Sequence, residues 1–196
     1  MPRDLTALEP FFHDFLTLKK LRRTGWQLRG HRTGESLADH CFGVVLLTLT
    51  LADQITSHRI DRARAVVMAT VHELAEARVG DIPYTALPYF PDKARAEDRA
   101  MTDLLRPLQE PGEAYLALFR EFESGATVEA RFVRAIDKLE MLLTARDYEH
   151  TGITSLGDFW TNASTFAVFA EFPELEALAR HLAATRHPRY GPGGEG

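Results

Sequence analysis

The segment VHELAEARVGD, residues 71–81, carries one histidine and three acids in eleven positions. It directly follows ARAVVMAT (63–70), which is almost wholly apolar. Ionised side chains on a buried surface are costly unless something offsets their charge. If one helix runs through this stretch at about 100° per residue, His72, Glu73 and Glu76 fall within one arc of about 100°. An imidazole and two carboxylates then point the same way. A second histidine, His40 in ESLADH (35–40), opens another apolar run, CFGVVLLTLTLA (41–52). A further acid, Asp137, lies in TVEARFVRAIDKLEMLLTARDYE (127–149), at the edge of a face marked by Phe132, Val133, Ile136, Leu139 and Leu143. One divalent metal held by His40, His72, Glu73 and Asp137 accounts for all four residues, because its charge compensates the buried acids. Mixed imidazole and carboxylate donors suit Mn, Fe, Co, Ni or Zn.

Each residue also has a plainer reading. His40 alone fits a hydrogen-bonded core histidine, and Asp137 alone fits an ion pair with Lys138. Glu73 and Glu76 fit a solvated strip flanking Arg78. Three separate buried-looking positions would each then need their own compensation. Other chemistries find less support. HELAE begins like the H-E-x-x-H of zinc proteases, but position 76 is Glu. There is no P-loop, Rossmann glycine pattern or G-x-S-x-G element. An oxygenase with two irons would need further histidines between the core segments, and none lies between residues 73 and 149.

The elements that must position these residues read as helices. Candidates cover 5–21, about 37–55, 61 to about 79, 93–108, 112–123, 127–149, 156–170 and 174–186. Ser36 and Asp39 form a capping box for the second. Asp61 caps the third, and Gly80 ends it. RRTGWQLRGHRTGE (22–35) reads as a cation-rich loop, and DIPYTALPYFPD (81–92) as another. The helices at 37–55 and 61–79 lack a polar stripe, so they are expected to be the central, most buried ones. The expected architecture is all-α, a single helical domain over 1–188 with a flexible tail over 189–196.

The 196 residues are 45% apolar and 26% charged, an ordinary globular composition. The net charge of -5 argues against a nucleic-acid or anionic-membrane partner. The longest apolar run, 12 residues, is too short to span a bilayer. A single cysteine, Cys41, and the absence of an apolar leader after Met1 fit a cytoplasmic protein.

Taken in order, RRTGW (22–26), ESLADH (35–40), HELAEARVGDIP (72–83) and DKLEMLLTARDYE (137–149) resemble the HD-domain metal-dependent phosphohydrolases. Within that superfamily the series is similar to the 5'-deoxynucleotidase branch, including the HD-domain-containing protein 2 type. The resemblance spans roughly residues 10–185. It implies a helical homodimer that hydrolyses deoxyribonucleoside 5'-monophosphates to deoxynucleoside and phosphate. By position, it implies His40, His72, Glu73 and Asp137 as ligands of one divalent metal, Mg being possible beside the transition metals. It implies Glu76 and Asp81 as catalytic acids, and Arg23 and Trp26 as substrate contacts, Trp26 by stacking. One residue departs from the pattern: the His-Asp pair that names the superfamily is His72-Glu73 here. A nucleotide-binding protein with altered substrate or lost turnover is the alternative that this departure motivates.

Overall fold

In the computed structural model, which describes residues 4–186, the chain runs through α1 (Glu9–Thr17), α2 (Thr24–Gln27), α3 (Leu37–Leu51) and α4 (Arg62–Val71). It continues through α5 (Glu76–Val79), α6 (Lys93–Leu105), α7 (Glu110–Ser124) and α8 (Val128–His150). It closes with α9 (Gly157–Thr161), α10 (Ala163–Ala167) and α11 (Pro173–Ala184). Among the described residues the extended pairing is one isolated antiparallel bridge, Arg22 with Ser36. The tail expected over 189–196 lies outside the described residues.

Local sequence sets these boundaries. The Ser36–Asp39 capping box is formed, with each side chain on the other's backbone amide. Asp61 caps α4 through the Arg64 amide, and Thr127 caps α8 through Ala130. Gly80 takes φ +78°, a conformation that favours glycine, and turns the chain into the loop carrying Asp81.

Helix α8 is the spine. Phe132, Val133, Ala135, Ile136, Leu139, Leu142 and Ala145 are fully buried along it, and α3, α4, α7 and α11 pack around them. A second apolar cluster joins Val71 and Ala75 to Met101, Leu104 and Leu105 of α6 and Phe119 of α7. His72 stands where the two clusters meet, against the ring of Phe122.

Four expectations need correction. Helix α3 is not buried all round: Leu37, His40, Val44 and Thr48 face inward, while Phe42 is 65% exposed, with Leu46 and Leu49 also exposed. The helix expected from 61 to 79 stops at Val71, and the chain tightens through amide-to-carbonyl bonds of i to i−3 type before α5. The cause is local. The His72 Nδ1 donates to the Ala69 carbonyl at 2.7 Å, the acceptor that a continuing helix would give to the Glu73 amide. The helix expected over 156–170 breaks at Asn162, whose side chain caps α10. The loop over 22–35 contains the short helix α2.

Candidate metal centre

The N-terminal end of α3, the C-terminal end of α4 and the middle of α8 meet at one point. There His40, His72, Glu73 and Asp137 each bring a ligand atom to within 4.8 Å of all the others. His40 is fully buried, His72 is 3% exposed and Asp137 is 9% exposed. The break after Val71 does not scatter His72, Glu73 and Glu76, because the tightened turn keeps their side chains on the same side.

Both imidazoles are held by their outer nitrogens. His40 Nδ1 lies 2.6 Å from Glu140 Oε2, and His72 Nδ1 donates to Ala69 O. In a neutral imidazole, a proton fixed on Nδ1 leaves the lone pair on Nε2. Those two Nε2 atoms, together with Asp137 Oδ1, are buried without a hydrogen-bond partner. His40 Nε2 and Asp137 Oδ1 are 3.2 Å apart but misaligned for a hydrogen bond. Three buried atoms, each open to the same centre and each a good donor to a cation, are what an imidazole–carboxylate metal site leaves exposed inside.

The electrostatics agree. Burial opposes the charge on Asp137, yet Lys138 and His40 outweigh it and hold the carboxyl well below the usual range. Burial pushes the His72 imidazole down, toward its neutral, ligating form. His40 is the exception: burial and Arg23 oppose its charge, but Asp137 and Glu140 raise it to about 9, so a cation bound there displaces a proton from it. Burial opposes ionisation of Glu73 as well, and Arg23 overcomes it. Glu76 is different: burial, then Glu73 and Asp81, push it up to about 11, and its Oε2 is unpartnered. Among the described residues, Arg23 is the cation beside Glu73 and Asp81, while Lys138 faces Asp137.

Arg23 is presented by the closed loop that the Arg22–Ser36 bridge ties off, with its own amide on the Glu35 carbonyl. Its Nη1 is 3.4 Å from Glu73 Oε1 and 3.9 Å from Asp81 Oδ1. Asp81 Oδ2 accepts the Thr24 amide at 2.7 Å, so Asp81 fixes the turn that carries Arg23. Trp26 does not line an open face. It is 2% exposed, packs on Phe159 and Tyr148, and donates to Glu35 Oε1 at 2.9 Å. Glu73 and Glu76 do not flank Arg78, which pairs instead with Asp14 of α1.

The plainer reading of Asp137 holds and leaves its other oxygen free for the metal-ligand one. Its Oδ2 is 3.0 Å from Lys138 Nζ, while its Oδ1 faces the histidines. Glu140 sits behind His40 and also accepts from Thr144. Two residues escaped sequence reasoning. Glu35, raised to about 7 by burial and then by Glu140, lies beside His40. Gly43, one turn after His40, leaves the space that the Glu140 carboxylate fills. Its place inside an apolar helix was the available signal.

A helical bundle whose buried histidines and carboxylates leave open donor atoms beside a fixed arginine defines a metalloenzyme scaffold for anionic substrates. The chain belongs to the HD-domain family, whose model matches residues 16–170. It is 35% identical to the 5'-deoxynucleotidase HDDC2 of Bos taurus over 87% of this chain and 81% of that one. It is also 35% identical to the 5'-deoxynucleotidase hdd1 of Schizosaccharomyces pombe, covering 73% of each. Among solved structures, a conserved hypothetical protein from Pyrococcus furiosus superimposes with a TM-score of 0.75 at 30% identity, over 88% of this chain and 96% of that one.

Proposed function

We propose that this chain is a metal-dependent 5'-deoxynucleotidase, hydrolysing deoxyribonucleoside 5'-monophosphates to deoxynucleoside and phosphate. The observation that carries it is the set of three orphaned buried atoms, His40 Nε2, His72 Nε2 and Asp137 Oδ1, beside the Arg23 guanidinium. The donor set fits one divalent metal, Mn, Co, Ni, Fe or Zn, with Mg also possible, held by His40, His72, Glu73 and Asp137. When bound, that metal supplies Lewis-acid charge to a phosphate ester and makes water more acidic.

The chain's own residues do the rest. Arg23 offers a fork of donors to the phosphate oxygens and holds them against the cluster. Burial opposes its charge, but Glu73 and Asp81 keep it protonated. Glu76, with its open Oε2, is placed to orient the attacking water, and with burial and its acidic neighbours keeping its carboxyl protonated it is a proton donor rather than an acceptor. Asp81 holds the Arg23 turn through Thr24, and Trp26 braces the same turn from the core, a positioning role rather than stacking. Glu73, one methylene longer than the aspartate usual in the family, reaches the cluster and the Arg23 guanidinium from one carboxylate oxygen.

The same reading extends to assembly and setting. Phe42, Leu46 and Leu49 form an exposed stripe at helical spacing on α3, and we assign it to a homodimer contact. No helix among the described residues is long and apolar enough to cross a membrane, and a cytoplasmic setting suits the single cysteine. A net charge of -5 disfavours nucleic acid as a partner.

The test is phosphate release from a panel of deoxy- and ribonucleoside 5'-monophosphates, after metal stripping and re-addition of Mn, Co, Ni, Zn or Mg. Release that depends on metal and favours the deoxy forms supports the assignment. Metal binding with no release from any nucleotide moves the chain to the alternative, a nucleotide-binding protein without turnover.

A further inference from the structure

Helix α6 buries an acid, Glu97, outside the metal cluster. Glu97 is 5% exposed, and its ion-pair partner among the described residues is Lys93, one turn earlier. Lys93, Glu97, Ala100, Met101 and Leu104 fall within one arc of about 100° on this helix. The apolar members of that stripe belong to the cluster that holds Val71 and Ala75. Glu97 and Lys93 continue the same stripe toward the N-terminal end of α6. Helix α6 also packs on α5, which opens with Glu76, the residue after Ala75.

The placement of Lys93 is electrostatic as well as geometric. Burial opposes its charge, but Glu97, and then Glu76 and Glu73, favour it. Glu73 and Glu76 are also among the acids that keep Arg23 charged against burial. Two cations from separate elements, the turn before α2 and the start of α6, therefore share the same pair of site acids. Neither is fully committed. An ammonium has three N–H groups, and Lys93 directs a hydrogen bond to Glu97 alone among the described residues. Arg23 is divided between Glu73 and Asp81, with Nη1 at 3.4 Å and 3.9 Å. The carboxylates of Glu73, Asp81 and Asp137 already match the charge of a divalent metal and Arg23. A phosphate monoester dianion thus gains from a further cation in reach of the same acids.

We propose that Lys93 is a second cation that holds the substrate phosphate, acting with Arg23 and kept in place by its ion pair with Glu97. This role rests on the nucleotidase reading. Inorganic phosphate titrated into the metal-loaded protein by calorimetry reads the contact without turnover. Lys93→Met should weaken phosphate binding by about 10–100-fold, the scale of one hydrogen bond between charged groups. Lys93→Arg, which keeps a cation, should recover most of that loss. Lys93→Met combined with Glu97→Gln removes the buried acid that the single variant strands, and should show the same loss. Thymidine, which lacks the phosphate, should bind all of these proteins equally. In turnover, kcat/KM for deoxyribonucleoside 5'-monophosphates should fall by a similar factor, chiefly through KM. Wild-type phosphate affinity in the double variant, or no phosphate binding by the wild type, overturns the proposal. Equal weakening of phosphate and thymidine also overturns it, because that marks a displaced α6. If no nucleotide is hydrolysed while phosphate binding still depends on Lys93, the nucleotidase reading fails and the phosphate contact stands.

Discussion

Substituting Gly43 by Ala adds one methyl group to α3, one turn after His40. Its Cβ would stand 2.8 Å from Glu140 Oε1 and 2.9 Å from Glu140 Cγ, closer than real Cβ contacts allow. The Glu140 carboxylate must move, and that carboxylate holds His40 Nδ1 at 2.6 Å. Loss of such an outer partner lowers metal affinity by about 10–100-fold, or about 1.4–2.7 kcal/mol. The global stability of the metal-free protein should fall by no more than about 2 kcal/mol. Ala in place of Gly within a helix gains about 1 kcal/mol, against about 1–3 kcal/mol for the overlap. Metal titration by calorimetry against a competing chelator gives the affinity, and thermal melting of the stripped protein gives the second quantity. Gly43→Ala and Glu140→Gln should also combine to less than the sum of their separate effects, since both act through His40. An unchanged metal affinity in Gly43→Ala, with melting intact, would falsify the claim that Glu140 orients His40.

Other substitutions probe separate parts of the account. Glu76→Ala should lower turnover by about 10²–10⁴-fold while leaving metal bound; steady-state rates and metal content read the two, and unchanged turnover removes Glu76 from the reaction. Phe42→Glu should convert a dimer into a monomer in sedimentation velocity, because it charges the most exposed position of the stripe on α3; a wild-type monomer refutes the assigned contact. Glu174 accepts from the Thr56 and Ser57 amides and hydroxyls, chiefly the Thr56 hydroxyl, which lowers its carboxyl from 4.5 to about 2. A depressed carboxyl contributes stability above the unfolded pKa that is lost as pH falls through the folded one. Glu174→Gln should therefore flatten the stability profile between pH 4.5 and about 2 in denaturant melts, modestly because the pair is solvated.

Much of this was legible from residue types, and the gaps have physical causes. Caps written into the sequence at Ser36, Asp39 and Asp61 start two helices where they are expected. The four residues read as ligands do converge, because uncompensated charge in an apolar setting marks positions that need a partner. The helix break after Val71 was invisible, since the apolar pattern runs on and the breaking agent is a side-chain hydrogen bond from His72 itself. Helix α3 misled by composition. Lack of a polar face was read as burial, whereas Phe42, Leu46 and Leu49 are bare on one side of the chain. Trp26 carried no signal to separate an open stacking face from a core position, and its 2% exposure depends on Phe159, more than a hundred residues away.

The central claim is that His40, His72, Glu73 and Asp137 together hold a single divalent cation. Anomalous diffraction from crystals grown with Mn or Co tests it without reference to turnover. The account predicts one strong peak per chain, among His40 Nε2, His72 Nε2, Asp137 Oδ1 and the Glu73 carboxylate, that disappears in His72→Ala. A peak elsewhere, or none at saturating metal, would contradict it.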